Sequence, residues 1–134
     1  MSVMKKIEVV AAIIKFEDKI LCVQRGESKY DYISRKYEFP GGKIESGETE
    51  IESIKREILE ELDLEIDVEN KFLTVEHDYP DFSIKMHSFL CNCSNKSLKL
   101  NEHIDFKWLT INELNKLDWA EADIPIMQKL LETL

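Results

Sequence analysis

Three glutamates within five residues, Glu57, Glu60 and Glu61, are the part of this chain best suited to chemistry. On a helix, at about 100° per residue, they fall within roughly a 100° arc of one face. Like charges at that spacing repel by roughly a few tenths of a kcal/mol per pair. A divalent cation converts that cost into binding, and hard oxygen ligands suit Mg²⁺, with Mn²⁺ as a substitute. Acidic residues on a helix also make an ordinary solvated face, so the surroundings must decide. Gly41-Gly42, Gly47 and Glu48 come just before, and Arg56 stands beside Glu57, where a guanidinium can orient a carboxylate by its fork geometry.

The element that must carry these residues is marked at both ends. Thr49 with Glu52 three residues on forms a capping box, and residues 49–62 are good helix formers without glycine or proline. Ile51, Ile54, Ile58 and Leu62 recur as one apolar stripe, centred roughly 100° from the carboxylates. Burying that stripe would hold the three glutamates side by side at the rim of a core. Around this helix, residues 7–14 and 20–25 read as strands joined by a hairpin loop over 15–19, and 66–76 and 82–93 as two more strands around a turn at Tyr79-Pro80-Asp81. A polar, tyrosine-rich loop spans 26–37, and Glu38-Phe39-Pro40-Gly41-Gly42 reads as a strand end turning sharply. A short strand over 106–109, a short helix over 111–117 capped by Thr110, and a terminal helix over 124–134 with Pro125 in its first turn complete the expected order. That order predicts an α/β fold, helices packed on a sheet, in one domain spanning 1–134.

Composition narrows the partners. The 134 residues carry 18 Lys+Arg against 27 Asp+Glu, a formal charge of −9. Duplex nucleic acid and anionic membranes need basic footprints, so neither polymer nor membrane is expected as a partner. Most of the excess is local: residues 45–65 hold nine acids against Lys55 and Arg56. The longest apolar run, Val9 to Ile14, is far too short to span a bilayer. Lys5 and Lys6 are followed at once by Glu8 with no apolar leader segment, which predicts a cytoplasmic protein. The odd set Cys22, Cys91 and Cys93 reads as reduced core thiols, and the Cys91/Cys93 pair lacks the further soft ligands that zinc needs.

The spacing Gly42, five residues, Glu48, seven residues, then Arg56-Glu57-Ile58-Leu59-Glu60-Glu61-Leu62-Asp63-Leu64 resembles the signature box of the Nudix hydrolase family. Eight of its nine fixed or class-restricted positions match, and the exception is Asp63, where the family carries glycine. That position follows the helix, where a left-handed residue is favoured, and Asp tolerates this better than most non-glycines. Residues 1–25, the run from Tyr37 to Glu45 and Ala122-Asp123-Ile124-Pro125 extend the resemblance to the MutT branch over nearly the whole chain. Within it, the opening IEVVAAII, the Glu102-His103 pair and the ADIP stretch look most similar to the CTP pyrophosphohydrolase-like members.

The resemblance implies an α/β/α sandwich around a mixed sheet and hydrolysis of a nucleoside triphosphate to monophosphate and pyrophosphate, as in sanitising damaged nucleotides such as 8-oxo-dGTP or modified dCTP. It implies Mg²⁺ held by Glu57, Glu60, Glu61 and the Gly41 carbonyl. It makes Glu57 the first candidate to position or deprotonate the attacking water, with Glu48 and Glu102 as rivals and Arg56 orienting Glu57. Arg25 and Lys43 are the candidates for phosphate contact. Phe39 is a candidate to pack against the base, or a core residue. Asp123 lies in the stretch where the type member of the MutT branch carries asparagine; an ionised Asp accepts only, which favours bases offering amino hydrogens, such as cytosine N4 or the N1/N2 edge of guanine, whereas a desolvated, protonated Asp would also donate. Glu102 and His103 are expected near the site. A monomer is expected, a dimer being compatible. The rival readings are an ADP-ribose hydrolase, for which Pro80 sits at the marker distance after the box without discriminating, and a catalytically silent nucleotide-binding domain, which the retained carboxylates speak against.

Overall fold

The structure, a computed structural model, describes residues 6–133. Lys5, the first residues of the resemblance over 1–25 and the final residue of the expected terminal helix, Leu134, lie outside the described residues. The first apolar run forms β1 (Lys6–Phe16), which turns into β2 (Lys19–Gln24) through Glu17 and Asp18 alone, Glu17 taking a φ of 57°. The expected loop over 15–19 is therefore shorter, because Lys15 and Phe16 already pair with Ile20 and Lys19.

The strand end read at Glu38 is the short β3 (Tyr37–Glu38), and a second short strand not read from the sequence, β4 (Gly41–Lys43), follows it before helix α1 (Glu50–Leu62). The long hairpin follows as β5 (Asp67–Asp78) and β6 (Ser83–Asn92), then β7 (Asp105–Leu109), 3₁₀ turns at Ile111–Lys116 and Glu121–Asp123, and α2 (Ile124–Thr133). The element expected as a helix over 111–117 is thus one 3₁₀ stretch. The Glu113 carboxylate accepts from the N–H and hydroxyl of Thr110 at its start. The sheet has seven strands in the order β3–β2–β1–β6–β5, with β4 added to β1 and β7 to β2. Only β1 and β6 run parallel among these pairs, so the sheet is mixed.

The uninterrupted apolar run of β1 is explained by cover on both faces. Val10, Ala12 and Ile14, with Leu21 and Val23 of β2, pack against Ile54, Ile58 and Leu62 of α1. The alternate residues Ala11 and Ile13, with Ile20 and Cys22, point into the opposite core, which contains Leu114, Trp119, Ile126 and Leu130. Period-two alternation thus feeds two cores and yields the helix/sheet/helix sandwich. The three cysteines are buried and free, and burial pushes the Cys22 and Cys91 thiols up to about 12, which makes them inert core groups. No helix among the described residues is long and apolar enough to cross a membrane.

Helix α1 begins as its sequence requires: Thr49 Oγ1 accepts from the Glu52 N–H at 3.1 Å and Glu52 Oε1 accepts from the Thr49 N–H at 2.9 Å. It ends at Asp63 in the left-handed conformation (φ 52°, ψ 41°), whose N–H donates to the Leu59 carbonyl. Two expectations about its faces are corrected. Ile51 is 47% exposed, because the buried stripe starts one turn later with Ser53 and Ile54. Glu61 is not at a rim but 4% exposed.

Gly41 lies so close to β1 that a Cβ there would stand 1.9 Å from the Val10 carbonyl oxygen. Gly41→Ala must pry β4 from β1, and we expect it to cost about 1–3 kcal/mol, read as a lower denaturation midpoint at unchanged slope.

Candidate active site

Strand β4 and the loop behind it bring Glu48 to the flank of α1, and Arg56 gathers the box carboxylates around one guanidinium. Its Nε and Nη2 donate to the two oxygens of Glu48 at 2.6 and 2.9 Å, its Nη1 to Glu57 Oε1 at 2.9 Å and Glu60 Oε2 at 3.2 Å, and Nη2 also to the Lys43 carbonyl at 3.2 Å. Glu48 accepts a further bond from the Glu45 N–H, and these bonds, led by that from Arg56, hold its carboxyl at about 2. A carboxylate so depressed and so fully engaged is a poor base; its chemistry is to fix Arg56. Glu57 reaches back onto β4, where Gly42 makes room: a Cβ at Gly42 would lie 2.3 Å from Glu57 Oε2. The glycine is needed there for close approach and not for an unusual φ.

Glu61 projects inward from the same helix. Its Oε2 is buried and has no hydrogen-bond partner among the described residues, which for a carboxylate is costly unless a proton or a cation joins it. Burial first, then the charges of Glu57, Glu102 and Glu38, push its carboxyl up to about 9. Glu102 is exposed, and it acts on Glu61 through charge from the loop ahead of β7. Glu60 is turned to Arg56 and solvent. Accordingly, among the described residues no three His, Cys, Asp or Glu side chains already form a metal cage. The chemistry of the donor set, hard oxygens with one buried and unsatisfied, nevertheless fits a divalent cation.

The box borders a cleft of about 560 Å³ lined by Arg25, Glu38, Phe39, Gly41, Gly42, Lys43 and Asp123 among others. Arg25 directly follows β2 and bonds Glu38 Oε1 through Nε at 3.2 Å and Nη2 at 3.0 Å. Glu38 Oε2 pairs with His103 Nε2 at 3.0 Å. Burial would raise the Glu38 carboxyl, but the hydrogen bonds and charges of His103 and Arg25 hold it below the usual carboxylate range. Lys43 is exposed on the cleft edge. Phe39 is 3% exposed and stacks on Trp119, with ring centroids 4.7 Å apart, so its ring belongs to the core beneath the cleft.

At the far end, Asp123 Oδ1 accepts from the Phe39 N–H at 2.9 Å, and the turn carrying it is held by Tyr79, whose hydroxyl accepts from the Ala122 N–H. Burial, then the charge of Glu38, puts the Asp123 carboxyl well above the ordinary aspartate value. This removes the argument for an acceptor-only side chain, since a protonated Asp123 also donates. Over the cleft, the polar, tyrosine-rich loop is partly structured. Tyr32 stacks between Tyr30 and Tyr79 and donates its hydroxyl to Asp81 at 2.6 Å. Of the candidate residues read from the sequence, Arg25, Phe39, Gly41, Lys43 and Asp123 line the cleft, Glu48, Glu57 and Glu60 share Arg56, and Glu61 and Glu102 adjoin that cluster through charge. Glu38 and Tyr79 were missed. The available signal for Glu38 was an acid set between the aromatic residues Tyr37 and Phe39, just before Pro40-Gly41-Gly42.

A family model for the NUDIX domain matches residues 9–129 of this chain. The CTP pyrophosphohydrolase of Escherichia coli K12 is 33% identical over 128 residues, 96% of this chain and 93% of that protein. The 8-oxo-dGTP diphosphatase of the same organism is 30% identical over 127 residues, 95% and 98% of the two chains. The solution structure of a MutT protein, a Nudix family hydrolase from methicillin-resistant Staphylococcus aureus 252, superposes with a TM-score of 0.75 at 41% identity, covering 97% of this chain and 98% of that one.

Proposed function

The chain belongs to the NUDIX family and is a Nudix hydrolase, and from this we propose that it is a Mg²⁺-dependent pyrophosphohydrolase of nucleoside triphosphates, releasing monophosphate and pyrophosphate. The observation that carries the proposal is the buried Glu61 Oε2, without a hydrogen-bond partner among the described residues, beside Glu57, which packs against Gly42 in the lining of a cleft of about 560 Å³. Glu57, Glu60, Glu61 and the Gly41 carbonyl would hold the metal. Bound there, Mg²⁺ neutralises phosphate charge and acidifies a water. Mn²⁺ is expected to substitute.

In this reading Arg25 and Lys43 contact the phosphates, and Arg56 keeps Glu57 facing Gly42 so that the carboxylate can orient the attacking water and take its proton. Attack at the β-phosphorus forms a new P–O bond and breaks the bond from that phosphorus to the α–β bridging oxygen, which leaves with the nucleoside monophosphate. The relatives named for CTP and for 8-oxo-dGTP support a nucleoside triphosphate as the substrate class. Asp123, able to donate as well as accept, would read the edge of the base, with Phe39 supporting it from below.

A panel of nucleoside triphosphates, 8-oxo-dGTP and ADP-ribose tests the proposal, scored for pyrophosphate against phosphate. Pyrophosphate release that disappears on chelation and returns with Mg²⁺ is expected. Turnover of ADP-ribose alone, or turnover indifferent to chelator, overturns it. The protein is expected to act as a monomer in the cytoplasm without binding nucleic acid polymers.

A further inference from the structure

The bonds around Glu38 link two residues that the catalytic reading leaves apart. Arg25 is a long side chain, 47% exposed, just past the end of a strand, and ordering such a chain costs rotamer entropy. Glu38 meets that cost in advance: Oε1 takes Nε and Nη2 of Arg25 and leaves Nη1 for a ligand. This works only if the Glu38 carboxylate is itself fixed, and its second oxygen is held by His103 Nε2 at 3.0 Å. The His103 side chain is 6% exposed and Glu38 15%, so little water is available to replace that bond. We propose that His103 is a positioning residue for phosphate binding, holding Glu38 so that Arg25 is aimed into the cleft. The inference rests on the reading of Arg25 as a phosphate contact.

The stretch that carries His103 also carries Glu102, whose charge reaches Glu61. The end of the loop ahead of β7 thereby sets the phosphate-binding arginine and faces the acidic wall. A merely structural tie would lower stability and leave ligand affinity alone, and the two roles are separable by experiment.

The readouts are KM, kcat and the Kd of Mg²⁺-tripolyphosphate measured by calorimetry, the last independent of turnover. His103→Leu removes the donor at similar volume; His103→Asn stays polar but is too short to reach Glu38; His103→Gln can place its amide nitrogen near the lost Nε2. Leu and Asn are expected to raise KM and Kd about tenfold, the equivalent of about 1.4 kcal/mol, with kcat within about twofold. Gln is expected to stay within about threefold, and His103→Leu should add less than about twofold once Arg25→Met is present. Parent-like affinity in both the Leu and Asn variants overturns the inference, as does an undiminished effect of His103→Leu in the Arg25→Met background. If Arg25→Met itself leaves Kd unchanged, the phosphate reading of Arg25 fails and takes the inference with it. A loss in Arg25→Met without one in the His103 variants sinks the inference alone.

Discussion

Glu57→Gln is expected to lower Mg²⁺-dependent turnover by about 10²–10⁴-fold, the contribution of a positioned base, with little change in fold. The substitution keeps the shape that fits against Gly42, where there is no spare volume, and removes only the charge and the proton-accepting capacity. Arg56 retains three other carboxylates, Glu48, Glu60 and Glu45, so the guanidinium stays in place. Glu48→Gln is the informative contrast. Its carboxyl sits at about 2 with both oxygens on Arg56, so its loss acts by loosening Arg56. A variant of that kind should keep a larger share of kcat than Glu57→Gln. Single-turnover rates at saturating Mg²⁺ separate the two, and a Glu57→Gln rate within about threefold of the parent refutes the assignment of the base.

Much of this arrangement was legible in the sequence because local rules and the global fold agree in the box. A capping box, an apolar stripe and a left-handed terminal Asp63 all define the same helix, and the structure reproduces the cap, Asp63 and the stripe from Ile54 onward. The apolar run of β1 likewise announced a strand, and its cover on both faces emerged only with the structure. Sequence periodicity failed where burial depends on what lies opposite a residue. Ile51 has a place in the stripe but no core above it, whereas Ser53, outside the stripe, is fully buried beside β4, whose Lys43 carbonyl lies 3.5 Å from its Oγ. Strands β3 and β4 are too short to show alternation and owe their pairing to partners more than ten residues away. The bonds of Glu38 have the same character: Arg25 and His103 are distant in sequence, and only topology brings them together. The depth of Glu61 was lost for a simpler reason. Helical angle places a side chain on a face but does not say how far the neighbouring loop closes over it, and here Asn101 seals the helix end by donating its backbone N–H to the Glu61 carbonyl.

That depth has a measurable consequence in the metal-free protein. The Glu61 carboxyl is held at about 9 in the fold, against 4.5 ordinarily, by burial and then by the neighbouring carboxylates. Between those values the folded protein keeps a proton that the unfolded chain has released, so its stability falls as pH rises from the ordinary carboxylate range toward 9. Below that window the group is protonated in both states and contributes no slope. Glu61→Gln is neutral throughout and can donate its amide to Glu57, so metal-free Glu61→Gln should lose most of this slope. Near pH 8 it should exceed the parent by about 1 kcal/mol or more, roughly 4 °C in melting temperature for a domain of this size. Mg²⁺ reverses the order. In the parent the cation replaces the proton on a group already desolvated, raising stability and releasing a proton on binding, whereas the amide has neither a proton to give up nor a charge to offer. Thermal melts from pH 5 to 9, with chelator and with Mg²⁺, therefore separate a metal ligand from a buried acid kept for packing. A Glu61→Gln variant that melts below the parent at pH 8 in chelator, or that gains as much as the parent from Mg²⁺, contradicts this account of the acidic wall.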